Sequence, residues 1–296
     1  MILLRNELNK IGFGNCEIQL IREKFGIFVF RIIAGSESYV GKYFSDEQPH
    51  GRKEIRHYEL LQSIGVPTLR MVAHTECLML LEDIEASGRY RLGAEEDISN
   101  CATARLIAKW FRQLHERGRG APKLDCLHNI EDALSMKKIR RAIQKSKDNP
   151  FWATLNNNLE GIKSTYARLC NTITYNDFWW DNMAVAIDGS SALMFDYNCL
   201  TRGYAYSDIR HILSVLSKEA GDAFLDAYGA YSEEEKAFED LFFPLTGLLS
   251  PWAEKFEDML HSGELIKRLN IFHSNTRSAP IPQASSCGGS CQPRAD

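Results

Sequence analysis

No stretch of the 296-residue chain stays apolar for the roughly 20 residues that a membrane-spanning helix needs, so no membrane partner is expected. Positive charge is not in excess: 35 Lys and Arg stand against 39 Asp and Glu, for a net charge of −4. That balance argues against a dedicated nucleic-acid binder, which is usually strongly basic. The opening residues MILLRNELNK are too short and too quickly charged for a secretory leader, and a cytoplasmic location is the expectation. No internal repeat is present. The eight cysteines complete no zinc site within the chain. Cys16, Cys77, Cys101, Cys126, Cys170 and Cys199 stand singly and read as buried reduced thiols. What remains, 44% hydrophobic and 25% charged, is an ordinary globular composition with length enough for two lobes around a cleft.

The first third carries strand-like apolar runs at 16–22 and 27–33, joined by a turn at Glu23-Lys24-Phe25-Gly26. A second turn at Ala34–Glu37 leads into Ser38–Phe44, which predicts an antiparallel meander with Lys42 on its third strand. A helix follows over 51–63, with Ile55, Tyr58 and Leu60 or Leu61 on one face, and Gly65-Val66-Pro67 breaks it. Strands at 69–74 and 77–82 end in Leu80-Leu81-Glu82-Asp83. Beyond this the period changes to 3.6: Ala104, Ile107, Ala108, Phe111 and Leu114 stripe a helix over 101–117. Helices are expected at 131–146, 152–170, 207–219, 221–230, 233–242 and about 251–269, with a β-rich island at 172–199. The order predicts an α+β protein: a small β-rich lobe over 1–83, a helical lobe over 84–273, and a Ser/Pro/Gly-rich tail over 274–296 expected to be flexible. Such an arrangement selects no function by itself.

The chemistry concentrates in Thr174–Val185 and Leu193–Tyr197. Asp177 lies five residues before Asn182, and Asp196 follows fourteen after it, at the end of an apolar strand. Phosphoryl transfer from ATP requires a carboxylate that orients the acceptor hydroxyl and accepts its proton. It also requires oxygen ligands, here an amide and a second carboxylate, that hold Mg²⁺ against the phosphates.

Tyr175-Asn176-Asp177 through Asn182 resembles the His-Gly/Asn-Asp-x-x-x-x-Asn loop of aminoglycoside phosphotransferases and choline kinases, and Met194-Phe195-Asp196-Tyr197 resembles their metal-binding strand. The resemblance implies a bilobal protein-kinase-like fold, with a small antiparallel β-rich N-lobe and a larger, mainly helical C-lobe. The activity it implies is ATP-dependent transfer to a hydroxyl of a small molecule, with ATP and Mg²⁺ as cofactors. Carried over, Asp177 is the base, and Asn182 and Asp196 are metal ligands. Lys42 and Glu54 correspond to the phosphate-binding lysine and its helix partner, with Glu59 the competing partner. Leu80, Leu81, Glu82 and Asp83 correspond to the hinge whose backbone meets adenine. Gly203 and Asp208 match the family's Gly-x-x-x-x-Asp, where the Asp braces the loop; a helix N-cap is the plain alternative for Asp208. Leu114-His115 matches a helix-ending motif, with His115 packed rather than catalytic.

The sequence departs from the pattern in three places. Tyr175 replaces His as the loop's support, Asn198 stands where Glu is common, and no Gly-x-Gly-x-x-Gly covers the phosphates; Arg22–Gly26 is preferred over Gly12–Asn15 for that cover. A nucleotide-sensing pseudokinase is therefore the rival class. Trp179 and Trp180 read as core packing, with an aromatic wall for a cationic acceptor the alternative. Glu233, Glu234, Glu235, Glu239 and Asp240 read as a solvated helix face, with attraction of a polycation the alternative. Residues 137–147, with six basic side chains, also read as a solvated face, and Cys287-Gly288-Gly289-Ser290-Cys291 as an inert tail.

Overall fold

The alternation of Glu17–Phe44 folds as a meander, β1 (Glu17–Lys24), β2 (Ile27–Ala34) and β3 (Glu37–Phe44), each antiparallel to the next. A computed structural model describes residues 2–45, 51–121, 124–125, 129–146 and 149–278. Helix α1 (Ile2–Lys10) precedes the meander and α2 (Gly51–Ser63) follows it. Strands β4 (Met71–His74) and β5 (Leu78–Glu82) complete a five-stranded sheet in the order β1-β2-β3-β5-β4.

Strand β5 is buried on both faces, and its period of two divides it between two cores. Leu78 and Leu80 pack with Leu4 and Leu8 of α1, while Met79 and Leu81 join Ile55, Tyr58 and Leu61 of α2. Each leucine that α1 buries contributes about 1.5–3 kcal/mol. Lys42 pairs in register with Met79, so its side chain leaves the sheet on the α2 side. That register decides which acids it can meet.

After the short helix α3 (Ile84–Ser87) and strand β6 (Tyr90–Leu92), the chain enters the helical lobe at α4 (Cys101–Gly118). Asn100 caps α4 by accepting from the backbone of Ala102 and Thr103, and the predicted stripe is buried. The helix read over 131–146 is two, α5 (Ile130–Ala133) and α6 (Met136–Lys145). Leu134 leaves helical geometry between them and is buried in the core. Helix α7 (Pro150–Leu169) then leads to short strands: β7 (Thr172–Thr174), β8 (Met183–Ala186), β9 (Ala192–Met194) and β10 (Thr201–Gly203). β6, β8 and β9 form one sheet, β7 and β10 another.

Helices α8 (Ala205–Val215), α9 (Lys218–Tyr228) and α10 (Glu233–Leu248) follow. α10 continues past its expected end at 242 because Leu245 and Leu248 extend its buried face. Pro244 inside it lacks the N–H that the carbonyl of Asp240 would accept. Arg268 Nη1 donates to that carbonyl instead, at 2.6 Å. The single helix read over 251–269 is a 3₁₀ turn (Ala253–Phe256), α11 (Glu257–His261) and α12 (Glu264–Ser278). The left-handed Gly263 (φ 74°) separates the two helices. α12 thus runs into the stretch read as tail from Ser274; Cys287 and Cys291, like Cys126, lie outside the described residues. Among the described residues no helix is long and apolar enough to cross a membrane.

The architecture is the expected α+β one: a five-stranded antiparallel small lobe on a mostly helical large lobe. Tyr58 of α2 packs on Tyr197 of the large lobe, ring centroids 4.6 Å apart, and His57 Nδ1 lies 2.6 Å from the Tyr197 carbonyl.

Candidate active site

The loop between β7 and β8 begins at Tyr175 and is fastened from below. Asp208, in the first turn of α8, accepts from the backbone N–H of Tyr175 at 2.7 Å and of Asn176 at 2.9 Å. His115 at the end of α4 reaches the same carboxylate at 3.1 Å and Tyr228 at 2.8 Å. Asp208 is no N-cap: that position belongs to Tyr204. With Asp208 and His115 each 2% exposed, the group is a buried scaffold whose polar atoms are matched. Gly203 lets β10 approach: a Cβ there would lie 2.7 Å from Thr174 Oγ1.

Asn176 then adopts left-handed geometry (φ 64°), which Asn tolerates better than most residues. Its side chain donates to Thr174, Thr201 and the Cys199 carbonyl, holding the turn. Tyr175, fully buried, donates its hydroxyl to the carbonyl of Phe195 and so ties this loop to the strand end that bears Asp196.

Asp177 and Asn182 meet across the loop, the amide nitrogen of Asn182 donating at 3.1 Å to both the carbonyl and Oδ2 of Asp177. Asp196 also stands in left-handed geometry (φ 60°), a strain of about 1–3 kcal/mol of the kind that gathers at functional sites. Lys42 Nζ lies 2.6 Å from Glu54 Oε2 and 2.7 Å from Asp196 Oδ1. Glu59, the competing partner, pairs with His74. Burial opposes the charge of Lys42, but Glu54 and Asp196 outweigh it and its pKa rises. Burial pushes Glu54 up to about 7 against the pull of Lys42. Burial first, then the charge of Asp196, pushes Asp177 up to about 6. Three acids share this cleft with one lysine.

At the hinge, Leu80 and Leu81 are spent on the two cores. The Glu82 carboxylate accepts from the backbone of Arg70 and pairs with Arg89; that of Asp83 accepts from Arg31 at 2.9 Å and Ser38 at 2.6 Å. β5 lies between β3 and β4, the Glu82 N–H donates to the Arg70 carbonyl at 3.0 Å, and the Asp83 carbonyl accepts from the Ser87 N–H at 2.9 Å.

Several expectations change. Trp179 is 46% exposed, so it is not core packing, and Trp180 is half-buried. Glu235 and Glu239 are buried rather than solvated, whereas Glu233 and Glu234 are exposed. Cys199 is exposed, and Cys16, Cys77 and Cys101 are half-buried; only Cys170 of the described cysteines is buried. α6 does face solvent with its basic residues, Ile139 being its buried contact. The sequence reading missed His57 and Tyr197 as the contact between lobes. Their signal was position: His57 lies one turn after Glu54, and Tyr197 directly follows Asp196.

No protein-family model and no curated protein matches the sequence. The fold does match solved structures. The choline kinase LicA from Streptococcus pneumoniae aligns with a TM-score of 0.56 at 13% identity, over 92% of this chain and 98% of that one; a second LicA structure is a complex with AMP. An aminoglycoside phosphotransferase from Alicyclobacillus acidocaldarius gives 0.52 at 13% identity, over 88% and 92%. Macrolide 2'-phosphotransferase MphH from Brachybacterium faecium gives 0.52 at 14%, over 95% and 100%. The chain shares its fold with these small-molecule phosphotransferases.

Proposed function

We propose that the protein is an Mg²⁺- and ATP-dependent phosphotransferase that moves the γ-phosphoryl group of ATP to a hydroxyl of a small molecule. The observation that carries this is the Lys42 ammonium held between Glu54 and Asp196, with Asp177 and Asn182 on the adjoining loop. The lobe over 1–83 binds the nucleotide, through Lys42 at the phosphates and the segment Leu80–Asp83 at adenine. The lobe over 84–273 supplies Asp177 and the acceptor site.

The donor set suits Mg²⁺, which takes one or two carboxylates and completes its shell with phosphates and water. Asp196 engages Lys42 through Oδ1, and Asn182 engages Asp177 through its amide nitrogen. The Asp196 Oδ2 and the amide oxygen of Asn182 are the atoms that would hold the ion. When bound, Mg²⁺ neutralises charge on the phosphates. Lys42 orients those phosphates, and Asp177 accepts the proton of the acceptor hydroxyl. Raised to about 6, the Asp177 carboxyl is ionised at neutral pH yet a stronger base than an ordinary aspartate.

Incubation with Mg·ATP and a panel of hydroxylated metabolites, amino alcohols and aminoglycosides, read by mass spectrometry, tests the reading. A phosphorylated product that disappears in Asp177→Asn is expected. Hydrolysis or binding of ATP with no phosphorylated product from any acceptor would point to a nucleotide sensor instead.

A further inference from the structure

A cavity of about 530 Å³ opens in the large lobe. It reaches the end of β7 at Thr174 and the following loop at Asn176, the residue immediately before Asp177, and is walled by α8, α10 and the segment around Trp252. Its size suits a small metabolite.

Its charge is the informative feature. Glu239 is the single acid among the described residues that line it, and that carboxylate is already committed. Oε1 accepts from Arg210 Nε at 2.5 Å and Oε2 from the Tyr204 hydroxyl, and the side chain is 5% exposed. Two cations line the same cavity. The Arg210 guanidinium lies 3.6 Å over the Phe243 ring, and Lys255 Nζ lies 5.2 Å from the Trp252 ring. Neither terminal nitrogen of Arg210 has a hydrogen-bond partner among the described residues, and Lys255 has no acid partner among them. Counting Arg210 and Lys255 against Glu239 leaves the lining at +1.

An aromatic-walled cavity ordinarily favours a cationic guest. Here the faces of Phe243 and Trp252 carry the protein's own cations, and among the described residues that line the cavity no carboxylate is free to receive an ammonium group. An anion meets the opposite situation: a guanidinium edge fixed by its ion pair to Glu239, with Lys255 at the mouth, is an arrangement for a carboxylate or phosphate.

We propose that the acceptor is an alcohol bearing a carboxylate or phosphate group, held by Arg210 and Lys255 with its apolar part on the aromatic walls. This rests on the phosphotransferase reading of Asp177. In the transfer, the acceptor oxygen bonds to the γ-phosphorus as Asp177 takes its proton. The bond from that phosphorus to the bridging oxygen breaks, and ADP leaves with the electron pair.

Isothermal titration of the full-length protein with D-glycerate, glycerol 3-phosphate, choline and kanamycin separates the cases, alongside the same compounds as acceptors with Mg·ATP. The carboxylate or the phosphate compound binds, and the cations do not; which anion binds identifies the source of the charge. Lys255→Glu weakens that binding by about tenfold, the loss expected for one charge-assisted contact. Lys255 is exposed, so this variant carries the test even if Arg210→Gln fails to fold. Binding and phosphorylation of choline or kanamycin, strengthened by Lys255→Glu, would overturn the proposal while leaving phosphotransfer intact. Failure of both anions to bind would also overturn it. Anion binding that depends on Lys255, with no acceptor phosphorylated, would keep the cavity's assignment and sink the phosphotransfer reading.

Discussion

Asp208 and Asp177 flank one short loop, and their surroundings differ in kind. Asp208 is buried and receives two backbone N–H groups and an imidazole, so its charge is matched by fixed donors. Asp177 receives one side-chain amide and faces the charge of Asp196, with Lys42 shared among three acids. A matched carboxylate stabilises a fold; an incompletely matched one has its pKa raised and is available for chemistry. The loop thus joins a satisfied scaffold on one side to a strained electrostatic cluster on the other.

The largest expected effect falls on the strained side. Asp177→Asn lowers turnover by ~10²-fold or more, the contribution of a positioned base, while the urea midpoint stays at or above the wild-type value. A clear loss of stability would show that Asp177 belongs to the scaffold. On the scaffold side the sign reverses: Asp208→Ala leaves two buried N–H groups and His115 without their acceptor and costs about 3 kcal/mol. A urea midpoint equal to wild type would erase the contrast.

Lys42→Met sharpens the comparison through pH. Glu54 has its folded pKa raised from 4.5 to about 7, so the folded state holds more protons and this group lowers stability as pH rises between those values. Removing Lys42 raises that pKa further and extends the loss above pH 7. The variant is therefore close to wild type near pH 5 and about 1 kcal/mol less stable at pH 8. Adding Glu54→Gln closes the gap; a deficit that does not change with pH would refute the assignment. The smallest effect is expected away from both regions. Arg168 and Glu234 form an exposed pair, and Arg168→Ala shifts stability by less than about 1 kcal/mol.

The sequence made the lobes and the Lys42–Glu54–Asp196 set legible because strand register and helix periodicity decide which side chains share a face. Lys42 faces α2 through its pairing with Met79, a consequence of period two. α1 escaped notice although Leu4 and Leu8 are one turn apart, because so short a helix exists only by packing on β5. The continuation of α10 through Pro244 was hidden because its missing donor comes from Arg268, far along the chain. The cavity was hidden for the same reason: Asn176, Arg210, Glu239 and Lys255 come from four separate segments, and no local pattern announces their meeting. Glu239, read as part of a solvated face, is instead buried against Arg210 and Tyr204.

The most direct test is isothermal titration of ATP, with and without Mg²⁺, into Asp177→Asn and Asp196→Asn. With Asp177 the base and Asp196 the metal ligand, Asp177→Asn retains Mg²⁺-dependent ATP affinity and Asp196→Asn loses that dependence. Equal Mg²⁺ dependence in the two variants would contradict the division of roles across the loop.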